Sequence, residues 1–264
     1  MPSRDGDNAI EALHAGEDDM AQIKTNAIVI GRTDYRDNDR MVALFSPTMG
    51  RIDAIARRAK SPKSPLLSAS ELFCSGEYVL YQTNEHATIV SCQVADAFYP
   101  LREDYERFSH AALMLEMSRA VVQPDQENER FFLHLVRSLA HLAYGDYSPK
   151  SVTTVFMMGL LSLNGYRPIV GRCVQCGKVV ETDGKRSEEF QFSAKAGGII
   201  CGACRREGAK QLTEKDIQDM QLIMHKGLDA LDEGLTVSGR VYASVLEMVR
   251  DRTESSFQSE KMIF

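Results

Sequence analysis

No stretch of this 264-residue chain is apolar for long enough to cross a membrane. Its longest apolar run, Val155 to Leu161, falls far short of the ~18 residues a spanning helix needs and reads as a buried helix. The N-terminus lacks the basic start and apolar core of a secretory leader. Missing too are a glycine-rich phosphate loop, a His-x-Glu deaminase signature and a Ser/His/Asp set, so enzyme chemistry has no motif to rest on. No internal repeat is visible. A surplus of positive charge is also lacking, for the net charge is −6. Taken as a sum, that argues against a nucleic-acid partner, but the distribution decides. Residues 1–19 set Asp5, Asp7, Glu11, Glu17, Asp18 and Asp19 against Arg4 alone, so −5 of the −6 sits there. From Gly50 to Ser64 the balance reverses, with Arg51, Arg57, Arg58, Lys60 and Lys63 facing only Asp53. An acidic chain with one basic face is the result.

What is present is 44% hydrophobic and 26% charged, the make-up of a globular protein, at a length that suits two or three domains. The most specific pattern is a pair of Cys-x-x-Cys knuckles, Cys173/Cys176 and Cys201/Cys204. Four thiolates at this spacing complete the tetrahedral shell of one zinc ion and leave no open position, so the site is structural. Redox chemistry at one knuckle would leave the second unexplained. Asp183-Gly184 reads as a hairpin turn, and Phe190 to Phe192 and Gly197 to Ile200 as short strands, making 171–209 a zinc-ribbon insert. Glycines beside the ligands, Gly177 and Gly202, ease the knuckle turns. Cys74 and Cys92 lie in strand-like runs and read as small core residues. Six cysteines, four of them on a metal, suit a reducing cytoplasm.

Residues 1–19 have no apolar periodicity and read as a disordered acidic tail, with ordered patterning from Met20. Over 20–99 the period is two. Asn26 to Ile30 and Met41 to Phe45 are short apolar runs, and Ile52, Ala54 and Ala56 alternate with charged residues. Glu77 to Tyr81 gives a fourth strand, and Thr88, Val90, Cys92 and Val94 are expected to share one face of a fifth. Five strands without a long helix predict a small closed barrel of the OB type. After Pro100 the period becomes helical. Leu101, Tyr105, Phe108, Ala112, Leu115 and Val122 mark a first inner stripe. Asp125 is the expected cap of a second helix that buries Phe132, Leu135, Leu139 and Leu142. Ser148-Pro149 opens a third helix, apolar on nearly every side, which Asn164-Gly165 ends. Thr213 caps a fourth, with Ile217, Met220, Met224, Leu228 and Leu231 inward, and Val237 to Val249 gives a fifth. The expected fold is α+β: a five-stranded OB-fold β-barrel, then an all-α helical domain over 100–264 that carries the four-cysteine zinc ribbon. His134 and His141 lie seven apart without another ligand type on their face, and read as core or surface histidines.

The order of these motifs resembles the RecO family of bacterial DNA repair and recombination proteins. The resemblance rests on Ala27-Ile-Val-Ile30, Asp39-Arg40, Leu44-Phe45 and Gly50, then on Ala56-Arg-Arg-Ala-Lys60 with Pro62-Lys63-Ser64. It continues through Leu101-Arg-Glu-Asp104, Leu163-x-Gly165-Tyr166-x-Pro168, the first knuckle and Phe192-Ser193 to Cys204. It implies a non-enzymatic protein that binds single- and double-stranded DNA and anneals complementary strands. With the partner RecR, such a protein helps the RecA recombinase displace single-strand-binding protein, whose acidic, apolar C-terminal tail it holds on the helical domain. The resemblance places it in the bacterial cytoplasm, at the nucleoid.

The residues agree on DNA. OB-folds bind strands across strands two and three and the neighbouring loops. That surface takes in Arg40, Arg51 and Arg57, the first loop adds Arg32, Tyr35 and Arg36, and Arg58, Lys60 and Lys63 extend it. Such an array meets phosphates with little sequence preference, and Tyr35 is placed to stack on a base. Two other classes suit the same composition: an adaptor that binds only proteins, and a nucleic-acid enzyme. Failure to bind DNA at low salt marks the first, and metal-dependent turnover of strands marks the second. Because the acidic tail repels phosphate, a chain beginning at Met20 is expected to bind DNA at least as tightly as the full chain. An oligonucleotide titration of both forms, with weaker binding by the folded shorter chain as the contrary outcome, checks this.

Overall fold

The structure, a computed structural model, describes residues 21–82, 87–182, 189–205 and 207–263. The expected acidic tail and the Asp183-Gly184 turn lie outside the described residues. Among the described residues no helix is long and apolar enough to cross a membrane.

Strands β1 (Ala21–Tyr35), β2 (Asp39–Ser46), β3 (Gly50–Ala56), β4 (Ser75–Gln82) and β5 (Ala87–Asp96) close into a barrel in the order β1-β2-β3-β5-β4. A short parallel pairing of β3 with β5, at Ala54↔Ala87 and Ile55↔Thr88, completes the circle. The one-turn helix α1 (Leu66–Ala69) contributes Leu66 and Ala69 to the interior, beside Ala27, Val29, Val42, Leu44, Tyr78 and Leu80. In β1 and β2 the apolar runs are continuous because both faces are covered. Alternate residues Ile28, Ile30, Ala43 and Phe45 point outward, into a second core shared with the helices. In β3 only one face is covered, so Ile52, Ala54 and Ala56 are buried and Asp53 is exposed.

The fifth strand departs from the expected parity. Leu80 pairs with Ile89 but Val79 with Ser91, which leaves Val90 as an extra, bulged residue. Ala87 and Ile89 are therefore buried, Val90 is 43% exposed and Cys92 packs against the interior; Val94, on the same face as Cys92, is 39% exposed. Alternation cannot reveal a bulge, because one inserted residue inverts every later side chain.

Helices α2 (Tyr105–Val121), α3 (Glu129–Tyr144), α4 (Pro149–Leu163), α5 (Glu214–Lys226) and α6 (Gly239–Thr253) form the helical domain. The all-round apolar α4 is the central member, packed by α2, α3, α5 and α6. Thr213 and Asp216 exchange both bonds of a capping box on α5. Tyr105, expected in the inner stripe of α2, is 67% exposed, because the helix begins at that residue and its first turn overhangs the core. His134 stacks on Phe156 and bonds its carbonyl oxygen, a histidine within the packing.

Barrel and helices are joined in two ways. Phe45 lies 5.7 Å from Phe131 and 5.4 Å, edge-on, from Phe132. Beside this contact the β2–β3 turn is hydrogen-bonded to the α2–α3 connection: Arg51 N–H donates to the Gln123 carbonyl, Asp125 N–H to Met49 and Asn128 N–H to Pro47, at 2.9–3.0 Å. Gly50 sits at φ +66°, and a Cβ there would meet the Gln123 oxygen at 2.1 Å, so only glycine fits the splice. The splice also displaces the expected cap. Asp125 is held at φ +56° with its N–H committed to Met49, and Asn128 caps α3 by accepting from Phe131 N–H. Phe45→Ala is expected to cost about 3–5 kcal/mol of stability by opening this seam. Val90→Ala, on the exposed bulge, should cost less than about 1 kcal/mol. Urea unfolding of both variants measures the difference.

Candidate nucleic-acid interface and metal centre

The chain leaves α4 at Asn164-Gly165 and builds a sheet of β6 (Phe190–Ser193), β7 (Gly198–Cys201) and β8 (Lys210–Leu212), with β6 in the middle. The third strand was not visible in the sequence, being three residues long with two of them polar. In the first knuckle Cys173 N–H donates to the Lys178 carbonyl at 2.7 Å, and Gly177 N–H to Cys173 at 2.9 Å with Gly177 at φ +76°. Gly202 needs no such conformation; it starts the 3-10 turn that carries Cys204. β7 ends at Cys201, whose N–H points at the Cys173 sulfur at 3.4 Å.

All four Sγ atoms lie within 4.8 Å of one another, and Cys176 and Cys201 are 3.7 Å apart. Ligand sulfurs at ~2.3 Å from a tetrahedral ion stand about 3.8 Å apart, so the cage has the size such an ion requires. Its electrostatics ask for a cation as well. Burial pushes the Cys173 thiol up, but the N–H groups of Cys201, Cys176 and Gln175 outweigh it and bring it down to about 6. The neighbouring Cys176 sulfur and then burial push Cys204 up to about 12, since crowded sulfurs cannot all ionise alone. Cys173 and Cys201 are buried while Cys176 is exposed, so the cage sits at the ribbon's edge. Its inner wall is no separate module: Cys173, Phe190, Phe192, Ile199, Ile200 and Cys201 belong to the core that includes α4 and α6.

The residues expected to meet DNA fall into two groups. Arg32, Arg40 and Lys60 are engaged within the protein. Arg32 and Arg40 both bond the Glu71 carboxylate, Arg40 also bonds Ser70 Oγ, and its side chain is only 12% exposed. The register explains it: Arg32 pairs with Val42 and Arg40 with Ala56, both interior residues, so the two arginines emerge at the barrel's mouth, not on its outer wall. Arg32 and Tyr35 also belong to β1 itself, not to the first loop as expected; the loop holds Arg36, Asp37 and Asn38. Lys60 pairs with Asp34 at 3.1 Å, and Lys60 first, then Arg40 and Arg32, hold the Asp34 carboxyl below its ordinary range. Arg51 lies on the outer wall beside Asp53 at 3.3 Å.

Arg36, Arg57, Arg58 and Lys63 are exposed, and among the described residues none of their side chains is in an ion pair. The loop after β3 folds beside the β1–β2 turn through Lys60 N–H to Asn38 O and Arg58 N–H to Asp39 Oδ1, which gathers these cations at one end of the barrel. Tyr35 joins them on the outer wall, with the Arg36 guanidinium 5.0 Å from its ring centroid.

One cation escaped the sequence reading. Arg119 of α2 crosses to the barrel and lies on Gly31, where a Cβ would be 3.1 Å from its Cδ, Nε and Cζ. The available signal was a glycine inside an apolar strand, which marks a bulge or a close approach; both occur here.

Two family models match the chain: "Recombination protein O N terminal" over residues 20–98 and "Recombination protein O C terminal" over 102–250. The DNA repair protein RecO of Acetivibrio thermocellus is 33% identical over 214 residues, covering 80% of this chain and 83% of that one. The RecO proteins of Symbiobacterium thermophilum and a Thermoanaerobacter species are 27% and 26% identical, each over 92% of this chain and 97% and 98% of their own. Relatives of one description thus span the barrel, the helices and the cysteine ribbon together, and the chain belongs to the RecO family of DNA repair and recombination proteins.

Proposed function

We propose that this protein is a recombination mediator that binds single- and double-stranded DNA through the barrel and anneals complementary strands. With RecR it helps RecA load on strands coated by single-strand-binding protein, in the bacterial cytoplasm at the nucleoid. The observation that carries the DNA reading is the cluster of Arg36, Arg57, Arg58 and Lys63, in no ion pair among the described residues, with Tyr35 at one end of an OB-like barrel. Cations contact phosphates without regard to base, and an exposed ring stacks on any base. Annealing then needs no catalytic group, because a surface that neutralises two backbones lowers their repulsion.

The tail of single-strand-binding protein, acidic and apolar, has a chemical match on the helical domain. A cavity of about 240 Å³ is lined by Val155, Met158, Leu163, Ile223 and Met224, with Arg167 among its lining residues. Thioether and aliphatic walls take apolar side chains, and the guanidinium takes a carboxylate.

Zinc is the ion for which the cysteine cage is built: four soft sulfurs at tetrahedral spacing with no open position give it a structural role. Cys176→Ser is expected to lower both zinc content, read by elemental analysis, and the melting temperature. The ribbon shares its core with α4 and α6, so helical signal should be lost in the same transition.

For the barrel, Arg57→Ala, Arg58→Ala and Lys63→Ala combined should flatten the slope of log affinity against log salt by about 2 for a single strand. All oligonucleotide sequences should weaken alike, and strand annealing should fall with them. Arg40→Ala should instead lower stability, by removing its bonds to Ser70 and to one oxygen of Glu71 and leaving that carboxylate to Arg32, with little change in slope. An unchanged slope in the triple variant would favour the adaptor reading, in which the barrel binds protein only.

A further inference from the structure

Arg119 lies in a groove of about 510 Å³ between the barrel's outer wall and the end of α2. Gly31 and Ala43 line it too, and Gly31 is where the Arg119 side chain rests. Arg51 also lines the groove, from the β3 side. Arg119 makes no hydrogen bond or ion pair among the described residues, whereas Arg51 has Asp53. A guanidinium held flat against a glycine, with its edge open and no carboxylate of its own, is a ready phosphate site.

Past Thr33 and Met41, which line the groove, the outer wall continues beyond it. The ladder register places Thr33 beside Met41 and Met41 beside Ile55, and one step further Tyr35 beside Asp39, just before Arg57. From Gly31 to Tyr35 the outer wall runs about 13 Å along the strand. Its middle is thioether and aliphatic, its far end aromatic and cationic, and its near end carries Arg119 and Arg51. An acidic peptide would find cations at the ends but no reason for a flat apolar middle and a tyrosine. A single strand of nucleic acid matches every part, with phosphates at the ends and bases laid on Met41, Ile55 and Tyr35.

We propose that this groove seats one single strand of nucleic acid, with a phosphate held between Arg119 of the helical domain and Arg51 of the barrel. The strand thereby contacts both halves of the protein at once. The inference rests on the reading that the barrel wall binds DNA and adds a contact from outside the barrel. Asp53 and Asp125 also line the groove and repel a phosphate placed against them, which confines the phosphate seat to the two guanidiniums.

The test is fluorescence anisotropy of a labelled oligo-dT titrated with full-length protein at several salt concentrations. Arg119→Ala is expected to flatten the log–log salt slope by about 0.7, one phosphate contact, with an unchanged melting temperature. Arg119→Lys should recover most of the slope and only part of the affinity. Gly31→Ala, which pushes Arg119 off its seat, should weaken binding in the wild-type background and add nothing in Arg119→Ala. If Arg119→Ala leaves the slope unchanged while the Arg57/Arg58/Lys63 triple variant flattens it, the groove inference fails and the barrel reading stands. If neither variant moves the slope, both fail. Loss of binding to a fluorescent acidic peptide, with oligo-dT binding intact, would assign the groove to a protein partner and overturn the proposal.

Discussion

Phe45 and its neighbours on β1 and β2 give two cores a common wall. Val42 and Leu44 fill the barrel while Ala43 and Phe45, one residue out of phase, fill the seam with α2 and α3. A side chain of this class stabilises by about 1.5–3 kcal/mol when buried, so neither core gives up the strand without loss to the other. The placement of the barrel against the helices follows from this sharing. It fixes the β2–β3 turn against the α2–α3 connection, beside the groove that Arg51 and Arg119 both line. It also explains why only part of the outer wall is left to face a ligand.

The sequence showed these elements unequally, for physical reasons. Continuous apolar runs at Ala27 to Ile30 and Met41 to Phe45 reported double burial, and alternation in β3 reported single burial, because side-chain period follows local geometry. The clustering of the four cysteines was legible because paired Cys-x-x-Cys knuckles follow a short, local spacing rule. The bulge at Val90, the cap at Asn128 and the reach of Arg119 were not, since each is set by a partner far along the chain: Val79 and Leu80, Met49, and Gly31. The same limit applies to charge. A basic run in the sequence counts Arg40 and Lys60 equally with Arg57 and Lys63, whereas the fold ties the first two to Glu71 and Asp34.

The cysteine cage sits at the far side of the helical domain from this seam in chain order, yet it is built into the same continuous core. Ile169 and Gly198 bridge the ribbon to the segment that leaves α4, Gln221 of α5 donates to the Val170 carbonyl, and Lys210 pairs with Glu247 of α6. Four sulfurs crowded at this edge repel one another when ionised, and a bound cation converts that repulsion into cohesion.

The splice around Gly50 bears on how such a chain can be cut and recombined. A barrel taken from it alone would present Ile28, Ile30 and Phe45 to water as one apolar patch, with the carbonyls of Pro47 and Met49 left open beside it. Such a surface invites self-association. The unit that can be exchanged between relatives without creating a sticky fragment is therefore not the barrel. It is the barrel together with the helices, since α2 and α3 in turn bury their apolar faces on α4.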